Sequence, residues 1–254
     1  MLRVRPLHFT SRPESWDRLL NALGMVLTEG DGGLRVFDSG GGRLALQEVP
    51  EGAAEDGTTA LAVEVGDLAE FARRTNLAAE DDGTTPAELV TEDHVEACRI
   101  TAPDGFSFLA DKAAHGAQCA DADPALAVVG VWFTQDPAAA SRTLQQVGAR
   151  PRPVPDQDDT ADFAAKNGGI LMVRPASGTP RSGLGFEYDG GLEPLRERLA
   201  SAGFQATVTE EAFARTLHVA NPDAGSGAAV HVPATLWISQ RRGDGAGRRI
   251  PPAA

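Results

Sequence analysis

The sequence predicts an α+β fold built from four βαβββ units, and three observations carry the prediction. A short strand followed by an amphipathic helix recurs four times along the 254 residues. Three of the four helices run into a glycine, the residue at which helices most often stop. Each strand and helix is then followed by extended runs separated by glycine-rich turns.

In the first unit VRPLHFT is the strand and ESWDRLLNALG the helix, with Trp16, Leu19, Leu20 and Leu23 on one face and Gly24 as the stop. The second, ALAVEVGDLAEFARRTNL, has the strand and the helix but no closing glycine. VVGVWFT and DPAAASRTLQQVG make the third, with Leu144, Val147 and Gly148. GLGFEYD and LEPLRERLASAG make the fourth, with Leu192, Leu195, Leu199 and Gly203. The strand-like runs behind them are LRVFDSGGGRLALQEV, VEACRITAPDGFSFLAD, GGILMVRP and TLHVANPDAGSGAAVHV. The opening strands align at Val4, Ala60, Val128 and Gly183, with the widest gap at KAAHGAQCADADPAL. That gap divides the chain into two tandem domains, 1–116 and 126–240, joined by a linker at 117–125, and 241–254 reads as a disordered tail.

Composition narrows the function. With 42% hydrophobic residues the chain can build a large core. A net charge of −13, from 36 acids against 23 bases, excludes nucleic acid and anionic membrane surfaces as expected partners. No apolar run is long enough to span a bilayer and MLRVRPLHFT lacks a signal-peptide core, so the expected location is the cytoplasm. Cys98 and Cys119 make neither a disulfide framework nor a metal knuckle. No GxSxG elbow or other nucleophile phrase is present.

The paired βαβββ units, with APDG and NPDA leading into their last strands, resemble the vicinal oxygen chelate superfamily, which includes glyoxalase I, extradiol dioxygenases and bleomycin-resistance proteins. The resemblance spans about Val4 to Trp237. It implies curled mixed β-sheets, each forming a half-open cup with helices on the outside. It also implies, for metal-using members, ligands from the first and last strands at inward positions. Those positions here are Val4, Ala45, Ala60 and Leu109 in the first domain, and Val128, Leu171, Gly183 and His231 in the second. His231 alone can coordinate, so the expectation is no metal and no cofactor.

Strand alternation then proposes what each cup does hold. Taking Leu7 and Phe9 as core leaves Val4, Pro6, His8 and Thr10 inward. Taking Val129, Val131 and Phe133 as core leaves Gly130, Trp132 and Thr134. In the other units Ala60, Ala62 and Glu64, and Gly183, Gly185 and Glu187, look inward. His8, Glu64, Trp132 and Glu187 thus take one equivalent position, with small residues beside them leaving room for a ligand. Arg43, Gln47, Asp111 and His231 are further ligand-binding candidates, and Arg5 is placed toward the helix side or the rim.

These residues suggest metal-independent binding of a small organic molecule, as in drug or metabolite sequestration. Trp132 would stack on the ligand, and Glu64 or Glu187 would pair with a cation. A metal-free acid/base isomerase, lyase or cyclase, with Glu64 or Glu187 as base and His8 as acid, is the alternative. A third reading is a divalent-metal lyase or dioxygenase using His8, Glu64, His231 and Asp111. A monomer or a homodimer would serve any of the three.

Overall fold

The computed structural model describes residues 1–254 other than 85, 93–94, 116–118, 154–158, 212–213, 226–231 and 242–254. Four successive units each run strand, helix, three strands. The first has β1 (Leu2–Val4) and β2 (Leu7–Thr10), α1 (Pro13–Leu23), β3 (Val26–Asp31), β4 (Leu34–Asp38) and β5 (Arg43–Glu48). The second has β6 (Thr59–Ala60) and β7 (Ala62–Val65), α2 (Leu68–Ala79), β8 (Ala87–Glu92), β9 (Val95–Thr101) and β10 (Ser107–Lys112). The third has β11 (Leu126–Thr134), α3 (Pro137–Gln146), β12 (Arg150–Arg152), β13 (Ala161–Ala164) and β14 (Ile170–Pro175). The fourth has β15 (Arg181–Tyr188), α4 (Leu192–Ser201), β16 (Ala206–Glu211), β17 (Ala214–Ala220) and β18 (Thr235–Gln240).

Within each unit the last strand lies parallel to the first, β5 on β2, β10 on β7, β14 on β11 and β18 on β15. The first strands of neighbouring units pair antiparallel, which joins units in twos. The C-terminal sheet therefore reads β12-β13-β14-β11-β15-β18-β17-β16. The N-terminal strands have the same order split between two sheets, β3-β4-β5-β2-β6 and β1-β7-β10-β9-β8. The split falls at Pro6, which has no N–H to give. The register is unbroken across it, Leu2 facing Val65, Val4 facing Val63 and Leu7 facing Ala60.

The helices form as their sequences require. Pro13 opens α1, and Asp67 and Asp136 cap α2 and α3 by accepting from the amides of Glu70 and Ala139. Gly24 ends α1 in the left-handed region, at φ 89°. The second helix, for which the sequence suggested no closing glycine, does have one: a 3₁₀ turn at Glu80–Asp82 extends it to Gly83. Trp16, Leu19, Leu20 and Leu23 are buried on α1, as are Leu192, Leu195 and Leu199 on α4. Each contributes about 1.5–3 kcal/mol through burial.

Helices pair across the two sheet systems, α1 with α4 and α2 with α3. One core gathers Trp16, Leu20, Leu44, Leu46, Val128, Phe186, Leu195 and Leu217; the other gathers Val4, Val63, Cys98, Phe108, Trp132, Leu144 and Leu171. Each core draws on both sheet systems.

The Pro-Asp phrases have a structural task at this junction. Thr134 at the end of β11 donates to Asp104 of APDG at 2.7 Å, and Thr10 at the end of β2 donates to Asp223 of NPDA at 2.5 Å. Each threonine oxygen also accepts the amide two residues on, from Asp136 and from Arg12. Each turn thus latches onto the other sheet system, at the point where its first strand gives way to a helix. The second latch is the larger. Asp223 also accepts from Trp16 Nε1 at 2.7 Å and meets His8 Nε2 at 2.7 Å, with His8 and Asp223 both buried. Burial works against the Asp223 charge, but the hydrogen bonds from His8, Thr10 and Trp16 outweigh it and hold the carboxyl below its ordinary range. Among the described residues no helix is long and apolar enough to cross a membrane.

Candidate functional site

Every sheet has one face against the helices and one face away from them, and register assigns each side chain to its face. Residues directly opposite in a ladder share a face. Arg3 faces Glu64, Leu109 lies beside Ala62, Asp111 beside Glu64, and Leu7 beside Ala45. Val4, in contrast, is fully buried in the helix-side core. In the first strand Arg3, Arg5, Leu7 and Phe9 therefore point away from the helices, and Val4, Pro6, His8 and Thr10 point toward them. This is one residue out of phase with the expectation. His8 sits under α1, its ring 4.4 Å from that of Trp16 and its Nδ1 2.9 Å from Thr59 Oγ1.

The third unit shows the same slip. Leu126, Val128 and Trp132 are in the helix-side cores, and Trp132 stacks on Phe106 at 4.6 Å. Leu171, opposite Gly130, is also helix-side. Ala127, Val129, Val131 and Phe133 look the other way, with Ile170 and Met172. The second and fourth units keep the expected phase: Ala62 and Glu64, and Gly183, Gly185 and Glu187, face away from the helices. His8, Glu64, Trp132 and Glu187 are thus not one constellation, since two of them lie on the opposite side of the sheets.

The small residues do not leave room either. A Cβ on Gly130 would lie 2.6 Å from Leu61 Cδ1, on Gly183 2.9 Å from Phe133, and on Gly185 2.2 Å from Trp237. Each glycine admits one of the protein's own side chains.

On the open face of the N-terminal sheets the space is filled by ions. Glu64 accepts from Arg3 Nε at 2.7 Å and Arg43 Nη1 at 3.0 Å, and Arg5 Nε lies 3.3 Å from it. Arg5 also pairs with Asp111. Arg43 bonds Asp38 at 2.5 Å, Glu29 at 2.6 Å and Thr28 at 2.8 Å. Arg3, Arg43, Asp38 and Glu64 are 1–3% exposed. Burial opposes the Arg43 charge, yet hydrogen bonds to Glu29 and Asp38 and the charge on Glu64 hold its guanidinium above the ordinary range. Arg5, which the sequence reading set aside, is central here. Gln47 stands further along the same face of β5 and donates to the Glu48 carbonyl.

The open face of the C-terminal sheet is different in kind. Its floor is apolar: Val129, Val131, Ile170 and Met172 are buried, with Ala127, Phe133 and Trp237 against them. Trp237 lies over Gly185, opposite His218, which is 3.1 Å from Thr209. Ionisable groups border the floor. Arg152 Nη2 donates to both oxygens of Glu187 at 3.0 and 3.1 Å, Arg174 to Asp162 at 2.8 Å, and Arg181 covers the Phe133 ring at 4.7 Å.

The Arg152 contact also shows that this sheet curls. Strands β12 and β15 are separated by β13, β14 and β11, about 19 Å across a flat sheet at the usual spacing. An arginine and a glutamate together cannot span that distance, so the edges fold toward each other over the floor.

The sequence missed Trp237 because it took GAAVHV for the last strand, whereas the last strand is β18. Alternation in TLWISQ, with Leu236 and Ile238 buried, was the signal that would have found it. His231 lies outside the described residues. A shallow cleft of about 520 Å³ between Thr101, Pro103, Ala139 and Arg142 lies away from both open faces.

The metal positions implied by the resemblance do not fit a metal. With the phase corrected, the inward residues are Arg5, Leu7, Ala45, Ala62 and Leu109 on one side and Val129, Ile170, Met172 and Gly183 on the other. Among the described residues no three of His, Cys, Asp and Glu are grouped so as to hold a metal ion. The set His8, Glu64 and Asp111 is divided by the sheet itself. The same division separates His8 from Glu64 as an acid and base pair. Cys98 is no nucleophile, since burial pushes its thiol up to about 11.

No family model matches the sequence, and no curated protein matches it. Solved structures do match. A Mn(II)-bound glyoxalase from Novosphingobium aromaticivorans superposes with a TM-score of 0.57 at 11% identity, over 94% of this chain and 80% of that one. A catechol 2,3-dioxygenase does so with 0.58 at 13%, over 94% and 86%. Homoprotocatechuate 2,3-dioxygenase from Arthrobacter globiformis gives 0.56 at 14%, over 94% and 78%. With the paired units, the strand order and these neighbours together, the chain has the vicinal oxygen chelate fold of the glyoxalases and extradiol dioxygenases.

Proposed function

We propose that this protein binds a small organic molecule on the open face of its C-terminal sheet and does so without a metal ion. One observation carries the reading: that face combines a continuous apolar floor, an aromatic side chain packed on a glycine, and a border of ionisable groups. A ligand site is built in this way, with much apolar area for affinity and a few placed polar groups for orientation. The N-terminal face has no comparable floor, its centre being taken by Arg3, Arg5, Arg43 and Glu64. Residues 1–116 are then a structural domain and 126–240 the binding domain.

Binding without turnover is supported by the state of the carboxylates. Glu64 and Glu187, the two candidate bases, have both oxygens engaged by arginines. A general base must lie within hydrogen-bond reach of the proton it takes, and these carboxylates are turned to their arginines instead. Sequestration of a drug or metabolite fits a site that holds its ligand and leaves it unchanged.

The test is isothermal titration of chelator-treated protein against a panel of one- to three-ring aromatic compounds, with recovery of the compound afterwards. Binding that is equal with and without EDTA, and compound returned intact, are expected. A requirement for added Mn²⁺ or Zn²⁺, or a chemically altered compound, would overturn the reading.

A further inference from the structure

The open face of the C-terminal sheet is cationic in an acidic protein. The chain carries a net charge of −13, yet strands β11 to β15 present Arg150, Arg152, Arg174 and Arg181 on this face against Asp162 and Glu187. Arg174 is matched by Asp162. Arg181 lies over Phe133, and Arg150 is exposed at the edge strand.

Arg152 is the informative one. A guanidinium meets a carboxylate best as two parallel N–H to oxygen bonds, one from each of two nitrogens. Arg152 does not meet Glu187 that way: both carboxylate oxygens share the single nitrogen Nη2. Its Nη1 is buried and has no hydrogen-bond partner among the described residues. A buried charged donor left without an acceptor is unfavourable, and the next acceptor to arrive gains what the vacant bond forfeits. The nearby floor holds Trp237 on Gly185, one inward position along β15 from Glu187.

We infer that the ligand is a planar organic anion, its ring system on Trp237 and its carboxylate on the Arg152 guanidinium, from which it displaces Glu187, the internal competitor. The inference rests on the binding reading above and adds the chemical class. It reverses the sign expected from the sequence, where paired glutamates suggested a cation. Stacking on Trp237 supplies the ring preference and the unspent arginine nitrogen supplies the charge preference.

Two isosteric probes test it, 1-naphthoate and the neutral 1-naphthamide, titrated into the full chain. Wild type is expected to prefer naphthoate about tenfold, the scale of one charge-assisted hydrogen bond. Arg152→Gln should abolish that preference, weakening naphthoate about tenfold and naphthamide less. Glu187→Gln should tighten naphthoate severalfold by removing the competitor, and it keeps the test open if Arg152→Gln does not fold. Equal affinity for both probes in wild type, or no tightening in Glu187→Gln, would overturn the anion inference and leave small-molecule binding standing. Binding of neither probe would overturn both.

Discussion

Removing the Asp223 carboxylate tests how the two sheet systems are held together. In Asp223→Ala three buried partners lose their acceptor at once: Thr10 Oγ1, Trp16 Nε1 and His8 Nε2. Each unsatisfied donor costs about 1–3 kcal/mol, but neighbouring losses are not additive. Breaking a buried, hydrogen-bonded charge cluster costs about 3–5 kcal/mol in total, a large part of the roughly 5–15 kcal/mol that holds a protein folded. The matched control is Asp104→Ala, which removes the equivalent bond to Thr134 from a half-buried site and should cost about 1 kcal/mol. Urea unfolding followed by tryptophan fluorescence measures both, and a thermal melt should place Asp223→Ala roughly 10 °C below wild type. The sign of the pH dependence follows from the lowered Asp223 carboxyl. Its contribution is complete above the ordinary carboxyl range near pH 4 and is lost as pH falls through the folded value, so the gap between wild type and Asp223→Ala should narrow in acid. Equal losses in the two variants, or an Asp223→Ala protein within about 0.5 kcal/mol of wild type, would refute the latch.

Gly185→Ala puts a methyl where the indole of Trp237 lies, so it should abolish ligand binding and cost about 1–3 kcal/mol by overpacking, checked by titration and a melt. Glu64→Leu takes from the buried Arg3 and Arg43 the carboxylate they share and should destabilise by about 3–5 kcal/mol in urea, with ligand binding unchanged at a concentration where the variant is folded. Of the two thiols, Cys119 should react with a disulfide reagent in the native protein and Cys98 only after denaturation, because Cys98 is buried with its thiol pushed up to about 11.

The repeat was legible because helices announce themselves: Trp16, Leu19, Leu20 and Leu23 fall on one stripe, and Gly24 and Gly203 end their helices as expected. Strand phase was legible only where one face is polar or vacant. In AVEV and GLGFEY, Glu64 and the paired glycines mark the open face, and the strand register agrees. In VVGVWF both faces are apolar, since Val129 and Val131 line the floor while Val128 and Trp132 enter the helical cores, and alternation cannot choose between them. In VRPLHF the error had another source. Leu7 and Phe9 are apolar and read as core, which puts Arg5 toward the helix side or the rim, yet Arg3, Arg5 and Arg43 are accommodated on the open face by acids from β3, β4, β7 and β10. That network depends on contacts far apart in the chain, and no local pattern reports them. A slip of one residue then carried His8 and Trp132 to the wrong side together.

The chain has three tryptophans, in different surroundings. Trp16 and Trp132 are wholly buried in the two helical cores, and Trp237 is half-buried on the open face of the C-terminal sheet. Indole N–H resonances followed by ¹⁵N NMR during a titration with 1-naphthoate should show the Trp237 signal moving with saturation while those of Trp16 and Trp132 stay in place. Saturable movement of the Trp16 or Trp132 signal with Trp237 unmoved would contradict the account.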